Sequence, residues 1–439
     1  MEQLIALIDR WQAKRVVVVG DFMLDRQVYG NAERLSPDAP VPVLHVVRQD
    51  NRHGGAANVS LCLNALRCRV DCVGVVGDDD DGRHLKRYLQ HEGCDTAGII
   101  ADPLRPTTVK QSLIGLAQHR HPQKMFRVDH EDHTPLSEAV ADAVLSAVEE
   151  RLPDAHVLCI EDYNKGVISD ALGPRLIELA HQRGVPVLVD PAAITDYRRY
   201  ANATCLTPNR TEAERATGMA AEDDDQLHAM AHRLIESTGA EVVALTLDRH
   251  GALLARRDSE PMHLPTVARS VYDVTGAGDM VLAMLAAAIA NGADWPDAVR
   301  LANLAAGLEV ERFGVCPITL DEVLLEALAE RHGATKLRQL ADLLIELRAH
   351  RQAGRTVAFT NGCFDILHVG HVHLLRQARA TADLLVLAVN TDASIRALKG
   401  DSRPIVPEAD RIEVLNELQC VDYIVLFGAG GDSDTPLAL

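Results

Sequence analysis

Val274-Thr275-Gly276-Ala277-Gly278-Asp279 runs directly into an Ala-rich apolar stretch, Met280 to Ala290, which Asn291-Gly292 closes. Gly276 and Gly278 let the backbone turn sharply and aim successive N–H groups at one point, and a helix starting there adds partial positive charge. That is a device for holding the anion that develops when a γ-phosphoryl group moves, with Thr275, Gly276, Ala277 and Gly278 as its cradle. Asp279 is placed to accept the proton of an attacking hydroxyl. In isolation the same six residues also read as a Gly-rich turn whose aspartate caps a helix, so the rest of the chain must decide.

Outward from this loop, short β-branched runs alternate with amphipathic stretches. Arg15 to Asp21, Val157 to Asp162, Pro186 to Asp190 and Glu241 to Asp248 are apolar runs that finish in a polar residue, as buried parallel strands do. Leu136 to Leu152 and Gln226 to Thr238 carry the helical pattern between them. The alternation predicts a doubly wound α/β sheet with ligands at the carboxyl ends of its strands. Val28 to Arg48 and Thr107 to Arg127 break the rhythm and predict β excursions, a small lid over the site. The pattern restarts near position 355, after a charged helical stretch from Asp321 to Arg351. The expected division is a kinase-like domain over 1–332, a helical linker over 333–354 and a second α/β domain over 355–439.

The bulk properties agree. A chain of 439 residues exceeds one ordinary core. The net charge of −19 opposes binding to nucleic-acid backbones while leaving small phosphate sites open. Nine cysteines stand singly with no CxxC pair, which predicts reduced thiols and neither a zinc site nor a disulfide framework. No apolar run is long enough for a bilayer, and the amphipathic N-terminus lacks an h-region, so a cytoplasmic protein with no membrane partner is expected.

Four further segments carry chemistry. His53-Gly54-Gly55-Ala56-Ala57-Asn58 precedes a helix and can bring backbone and amide close to a polyhydroxylated ligand. Asp21 and Asp25 end the first strand with carboxylates suited to sugar hydroxyls. Asn209 and Glu212, one helical turn apart after Thr204-Cys205-Leu206-Thr207, could orient Mg2+ and its waters, or simply start a helix. Thr246 to Gly251 is a strand-turn. In this order these segments resemble the ribokinase (carbohydrate kinase) superfamily over about the first three-quarters of the chain. Arg34 to Val43 and Asp162-Tyr163-Asn164-Lys165-Gly166 narrow the resemblance to the bifunctional heptose kinase/adenylyltransferases of lipopolysaccharide-core synthesis.

The resemblance implies ATP-dependent phosphorylation of D-glycero-β-D-manno-heptose 7-phosphate at its anomeric hydroxyl, with Asp279 as base. It places Asn209, Glu212, Thr246, Asp248, Gly251 and Thr275 on Mg-ATP, with no direct protein ligand to the metal and Glu212 acting through water. Asp21, Asp25, Gly54, Gly55, Asn58, Asp162 and Lys165 fall on the sugar, and Arg127 on its 7-phosphate. One departure stands out: after Asp190-Pro191 many relatives carry Lys-Gly, whereas this chain reads Ala192-Ala193-Ile194. Another sugar or sugar phosphate as acceptor, or a regulatory binder without turnover, are the alternative readings. The TGAGD loop argues against the binder, and a homodimer is expected by analogy with lids in this superfamily.

Phe359 to Asp365, followed by Ile366-Leu367-His368-Val369-Gly370-His371, forms a second constellation. Two imidazoles at a helix start can hydrogen-bond nucleotide phosphates and stabilise a departing pyrophosphate. Zinc fails on ligand count. The segment resembles the cytidylyltransferase-like superfamily, a Rossmann-like α/β fold. The likeness puts Thr360, Asn361, Gly362, Phe364, Asp365, His368, Gly370, His371, Asn390, Asp392 and Lys399 at an adenylyl-transfer site. The sequence runs out at Val425 to Leu439, soon after the third strand of this domain, where the superfamily has a second half-sheet. Impaired adenylyl transfer beside an intact kinase is therefore the expectation, the alternative being that the remainder was lost in sequence determination or processing.

Overall fold

The computed structural model describes residues 1–116, 122–266, 272–312, 314 and 316–428. The chain forms two compact units, one of Arg10–Thr319 and one of Met1–Asp9 with Leu320–Leu439. The strands of the larger unit are, in chain order, β1 (Arg15–Gly20), β2 (Phe22–Leu35), β3 (Pro42–Gly55), β4 (Arg69–Gly77), β5 (Asp95–Asp102), β6 (Thr108–Leu116), β7 (Gln123–His130), β8 (Val157–Glu161), β9 (Val187–Asp190), β10 (Cys205–Leu206), β11 (Val242–Thr246), β12 (Ala252–Arg256) and β13 (Ser259–Leu264).

Nine of these strands build the main sheet, ordered β13-β12-β11-β10-β9-β8-β1-β4-β5. From β11 to β5 every neighbour is parallel. The four apolar runs read from the sequence are β1, β8, β9 and β11, and their buried Val, Leu and Ile side chains fill the core against flanking helices. Because these strands run parallel, Gly20, Glu161 and Asp190 lie side by side at one end of the sheet. The two excursions form a separate four-stranded sheet, β3-β2-β6-β7, as expected for the lid. The loop between β6 and β7 lies partly outside the described residues.

The smaller unit carries β14 (Leu337–Arg338), β15 (Val357–Gly362), β16 (Leu384–Asn390) and β17 (Tyr423–Phe427) in the parallel order β14-β17-β16-β15. Here the division departs from the expected one. The Leu320–His332 helix belongs to this unit, and residues 333–354 are part of its fold rather than a linker. The physical reason is packing: β14 pairs with β17, and Leu343 and Leu347 are buried against Val386, Ala388 and Tyr423. Beyond β15 no further strand joins the sheet among the described residues, and Phe359 on it is 44% exposed. The stretch after Gly428, expected to be unlike folded structure, lies outside the described residues. No helix of the described residues is long and apolar enough to cross a membrane, and all nine cysteines are free thiols, six of them buried.

Candidate functional site

Asp279 lies in the first turn of the Ala277–Ala290 helix, whose cap is Gly276 with φ 94°. That backbone conformation favours glycine, and it turns the chain into the helix start, with the Ala277 N–H donating to the Val274 carbonyl at 3.4 Å. The Asp279 carboxylate caps nothing. Asn58 Nδ2 donates to Oδ2 at 2.6 Å, and the Tyr163 hydroxyl donates to Oδ1 at 3.2 Å. The residue is 4% exposed. Burial pushes its pKa up to about 6 against the pull of those two hydrogen bonds. A carboxyl held there is ionised at neutral pH yet more basic than a surface aspartate. Thr275 turns its hydroxyl and its N–H onto Asp273 Oδ1, at 2.8 and 3.1 Å, and so shapes the loop.

The lid reaches the same place. Asp25 on β2 pairs with Arg52 on β3 and Lys110 on β6. A Cβ on Gly54 would stand 2.7 Å from Asp25 Oδ2, so only glycine leaves this approach open. Burial raises the Asp25 carboxyl, while the positive fields of Lys110, Arg127, Lys124 and Arg52 pull it back down. Four cations thus surround one carboxylate on the lid. Lys110 Nζ also sits 4.6 Å above the Tyr163 ring, whose hydroxyl meets the base. A cavity opens beside Asn58, lined among others by Arg52, His53 and Tyr88. His53 stacks on Tyr88 at 3.8 Å, and burial lowers its pKa to about 4.

Three expected sugar ligands do other work. Asp21, 2% exposed, accepts the backbone N–H groups of Tyr163, Lys165 and Val167 at 2.8, 3.0 and 3.3 Å. Asp162 accepts the Tyr200 hydroxyl at 2.6 Å, the Asn164 N–H at 2.6 Å and Arg199 at 3.3 Å. Both carboxylates are occupied in fixing loop 162–167, so they position the site rather than touch a ligand. Lys165 is ion-paired with Glu131 at 2.7 Å. Arg127 grips Asp129 with two bonds, 2.7 and 2.6 Å, on an exposed strand.

On the nucleotide side, Asn209 and Glu212 form a reciprocal capping box. Asn209 Oδ1 accepts the Glu212 N–H at 3.0 Å, and Glu212 Oε2 accepts the Asn209 N–H at 2.8 Å. A bridge between Asn209 and Thr246 places this turn beside the end of β11. Asp248, at φ 50°, and Gly251, at φ 88°, bound the tight turn that follows. Where a lysine was expected after Asp190-Pro191, Arg215 donates to the Ala193 carbonyl at 2.7 Å and brings a cation from the neighbouring helix.

Sequence reasoning missed Glu161, Asp190, Tyr163, Lys110 and Glu309. Glu161, Asp190 and Asp279 each bring one carboxylate oxygen within 4.8 Å of the other two, and no other such group of three acids, cysteines or histidines occurs among the described residues. Glu161 is 1% exposed, and its Oε2 is buried without a hydrogen-bond partner. Hard divalent cations take oxygen ligands of this kind, so the acidic floor fits the metal that kinases require. The signal was present: Glu161 and Asp190 each terminate an apolar run, as Asp21 does.

In the smaller unit, His368 caps the Val369–Ala380 helix, its Nδ1 accepting the Gly370 N–H at 3.1 Å. The His368 and His371 rings lie 4.0 Å apart, and His371 Nδ1 is buried without a partner. Burial and the neighbouring imidazole lower the His371 pKa. Thr360, Asn361 and Gly362 end β15 and Asn390 ends the adjacent β16, so they share one end of the sheet. A Cβ on Gly362 would meet the Phe364 ring at 2.9 Å. Asp365 is corrected from a ligand contact to an anchor: it accepts Arg403 at 2.7 Å and the N–H groups of Ile405 and Val406 at 2.7 and 3.0 Å. Asp392 accepts Arg411, a guanidinium 1% exposed that also bonds the carbonyls of Cys363, Asn390 and Val406. Lys399 closes the Asp392–Lys399 helix on the surface.

Residues 13–322 match the pfkB family carbohydrate kinase pattern, and 359–429 the cytidylyltransferase-like one. The bifunctional protein HldE of Paramagnetospirillum magneticum is 43% identical, covering 100% of this chain and 88% of the relative. The HldE protein of Geobacter metallireducens is 41% identical over 96% of this chain and 84% of its own length. Among solved structures, Arabidopsis thaliana ribokinase complexed with ribose and ATP superposes with a TM-score of 0.57 at 21% identity, covering 72% of this chain and 99% of its own. Escherichia coli phosphofructokinase-2 in complex with potassium gives 0.59 at 18%, covering 71% and 97%. These likenesses establish a ribokinase-like α/β fold for the larger unit.

Proposed function

The chain belongs to the family of bifunctional HldE proteins, a pfkB-type carbohydrate kinase continued by a cytidylyltransferase-like unit, and on that premise we propose two ATP-dependent reactions. The larger unit phosphorylates D-glycero-β-D-manno-heptose 7-phosphate at C1, giving the 1,7-bisphosphate. The smaller unit transfers an adenylyl group from ATP to heptose 1-phosphate, giving ADP-heptose and pyrophosphate. Both draw on ATP, which supports a cytoplasmic enzyme.

The observation that carries the kinase reading is Asp279, an elevated carboxylate beneath the Gly276-Ala277-Gly278 turn and within reach of Asn58. Asp279 takes the proton of the C1 hydroxyl as that oxygen attacks the γ-phosphorus, and ADP departs in line. The N–H groups of the turn hold the charge on the moving phosphoryl group. Asp25, Gly54, Gly55 and Asn58 orient the sugar, while the Lys110, Lys124, Arg127 and Arg52 group supplies cations for its 7-phosphate. Asn209, Glu212, Thr246, Asp248 and Gly251 serve the nucleotide. Mg2+ accompanying ATP would be held through water by Glu212 and would neutralise phosphate charge.

In the smaller unit, His368, His371 and Lys399 face the triphosphate, with Asn390 beside them. A homodimer through the lid is supported by its exposed apolar residues, Val46, Val47 and Phe126, at 53%, 61% and 73%.

ADP release with Mg-ATP and heptose 7-phosphate tests the kinase, with ribose, fructose 6-phosphate and unphosphorylated heptose beside it. Selective turnover of heptose 7-phosphate is expected. Turnover of another acceptor alone would discard the heptose assignment and keep the kinase. Asp279→Asn should lower kcat by roughly 10²–10⁴-fold while ATP still binds. Pyrophosphate release from ATP and heptose 1-phosphate tests the second unit.

A further inference from the structure

We propose that the cavity beside Asn58 is a second ligand site of the larger unit, which takes an adenine nucleotide with a diphosphate tail and thereby restrains the kinase. The restraint rests on the kinase reading; the binding does not. The cavity has a volume of about 380 Å³, within the ~300–1,000 Å³ usual for small-molecule sites. It reaches from Asn58 along the Ala56–Ala65 helix to Tyr88 and Glu92 at the end of the Asp80–His91 helix, all inside Arg10–Thr319. Of the residues proposed above for the sugar, only Asn58 and Arg52 line it, and none of those proposed for the nucleotide does.

The wall of this cavity is built for a flat, polar ring. His53 stacks on Tyr88 at 3.8 Å, and His84 lies nearly parallel to His53 at 6.2 Å, each pair 18° from coplanar. Tyr88 is 37% exposed, which leaves ring surface for a heterocycle to stack at the ~4.5–7 Å spacing that aromatic pairs prefer. His53 is 5% exposed, yet its Nε2 is buried with no hydrogen-bond partner. Such an atom in a cavity wall asks for a partner from outside the chain. Asn64 donates Nδ2 to the Glu92 carbonyl at 2.7 Å. An amide engaged in that way offers its Oδ1, and Glu92 its carboxylate, to an exocyclic amine. Arg52 adds a guanidinium suited to phosphate. The chain's own proposed products, ADP and ADP-heptose, join an amine-bearing ring to a diphosphate.

Asn58 couples this cavity to the reacting centre. The side chain that lines the cavity also donates to Asp279 Oδ2 at 2.6 Å. A ligand that draws on Asn58 weakens its hold on the base, and a phosphate that engages Arg52 takes a cation from the group offered to the sugar's 7-phosphate. Both effects oppose phosphoryl transfer, so an occupied cavity lowers kinase turnover.

The test is photolabelling of the full-length protein with 8-azido-ADP, the labelled peptides being mapped by mass spectrometry. Label is expected on segments 58–65 or 84–92 of wild type, and it should vanish from them in Leu61→Trp, which fills the cavity. Should Leu61→Trp fail to fold, Tyr88→Ala removes the stacking surface and should lose the label on 58–65. No label on either segment of wild type, or unchanged label in the variant that folds, would overturn the site. Unlabelled ADP and ADP-heptose compete in parallel: displacement by ADP-heptose alone makes the smaller unit's product the ligand, displacement by both makes it the nucleoside diphosphate, and displacement by neither overturns the proposal. At saturating ATP the displacing nucleotide should lower kcat/KM for heptose 7-phosphate by roughly fivefold or more in wild type and leave Leu61→Trp unaffected. An equal loss in both proteins would overturn the restraint. Photolabelling involves no acceptor sugar, so failure of the heptose assignment would leave its outcome intact.

Discussion

Asp279 and Glu309 are both acids pushed upward by burial, with opposite consequences for experiment. Asp279 must be ionised to accept a proton, and its pKa stands at about 6. The kinase kcat/KM should therefore climb tenfold per pH unit below about 6 and level off above it; a limb near 4 would mean the base is not so buried in solution. Glu309 is 1% exposed and neither carboxylate oxygen has a well-formed hydrogen bond. Desolvation with the nearby Asp279 charge lifts it to about 8 against a weaker pull from the Cys316 backbone. Its folded pKa lies above the unfolded value of ~4.3, so the native state binds the extra proton and loses stability as pH rises between the two. Glu309→Gln should unfold at a higher temperature than wild type at pH 8, by about 2–4 °C per kcal/mol relieved. That gain should shrink towards pH 5, which thermal scans at both pH values would show.

At the scale of elements, loop 162–167 joins the lid to the base. Asp21 pins its backbone, Lys165 ties it to Glu131, and Tyr163 stands between Lys110 of the lid and the Asp279 carboxylate. Removing the hydroxyl in Tyr163→Phe deletes a hydrogen bond to a charged group, worth ~1.5–3 kcal/mol. The expected result is a fall in kcat of roughly tenfold or more with KM for ATP little changed, read from steady-state kinetics. Gly54→Ala should act on the other constant, raising KM for the sugar by crowding Asp25.

Much of this arrangement was legible in advance. The β-branched runs gave away β1, β8, β9 and β11 because parallel strands buried on both faces need unbroken apolar sequence. The TGAGD turn and the His-x-Gly-His helix start were legible because their chemistry is local. What stayed hidden depends on sheet order. Glu161 and Asp190 meet Asp279 only because β8 and β9 are neighbours, and nothing within either strand announces that. Asp21, Asp162 and Asp365 looked like ligands because exposed and backbone-satisfied carboxylates spell alike in one letter. Arg411, the buried hub beneath Cys363 and Asn390, reads as an ordinary surface arginine on an amphipathic helix.

Across the whole molecule, the larger unit is continuous in sequence and the smaller one is not. Its core takes in the Glu2–Asp9 helix, whose Leu4, Ile5 and Ile8 are buried and which packs on the Leu320–His332 helix. A kinase unit expressed from Arg10 to Thr319 should accordingly stay monodisperse at higher concentration than one from Met1 to Thr319, as light scattering would register; the longer piece retains three apolar side chains and no helix to cover them. The same feature bears on biosynthesis. The Glu2–Asp9 helix leaves the ribosome before residues 10–319, yet its cover emerges only after those have been translated, on the order of 15–60 s later. During that interval a nascent-chain chaperone has an apolar, amphipathic target in the emerging polypeptide.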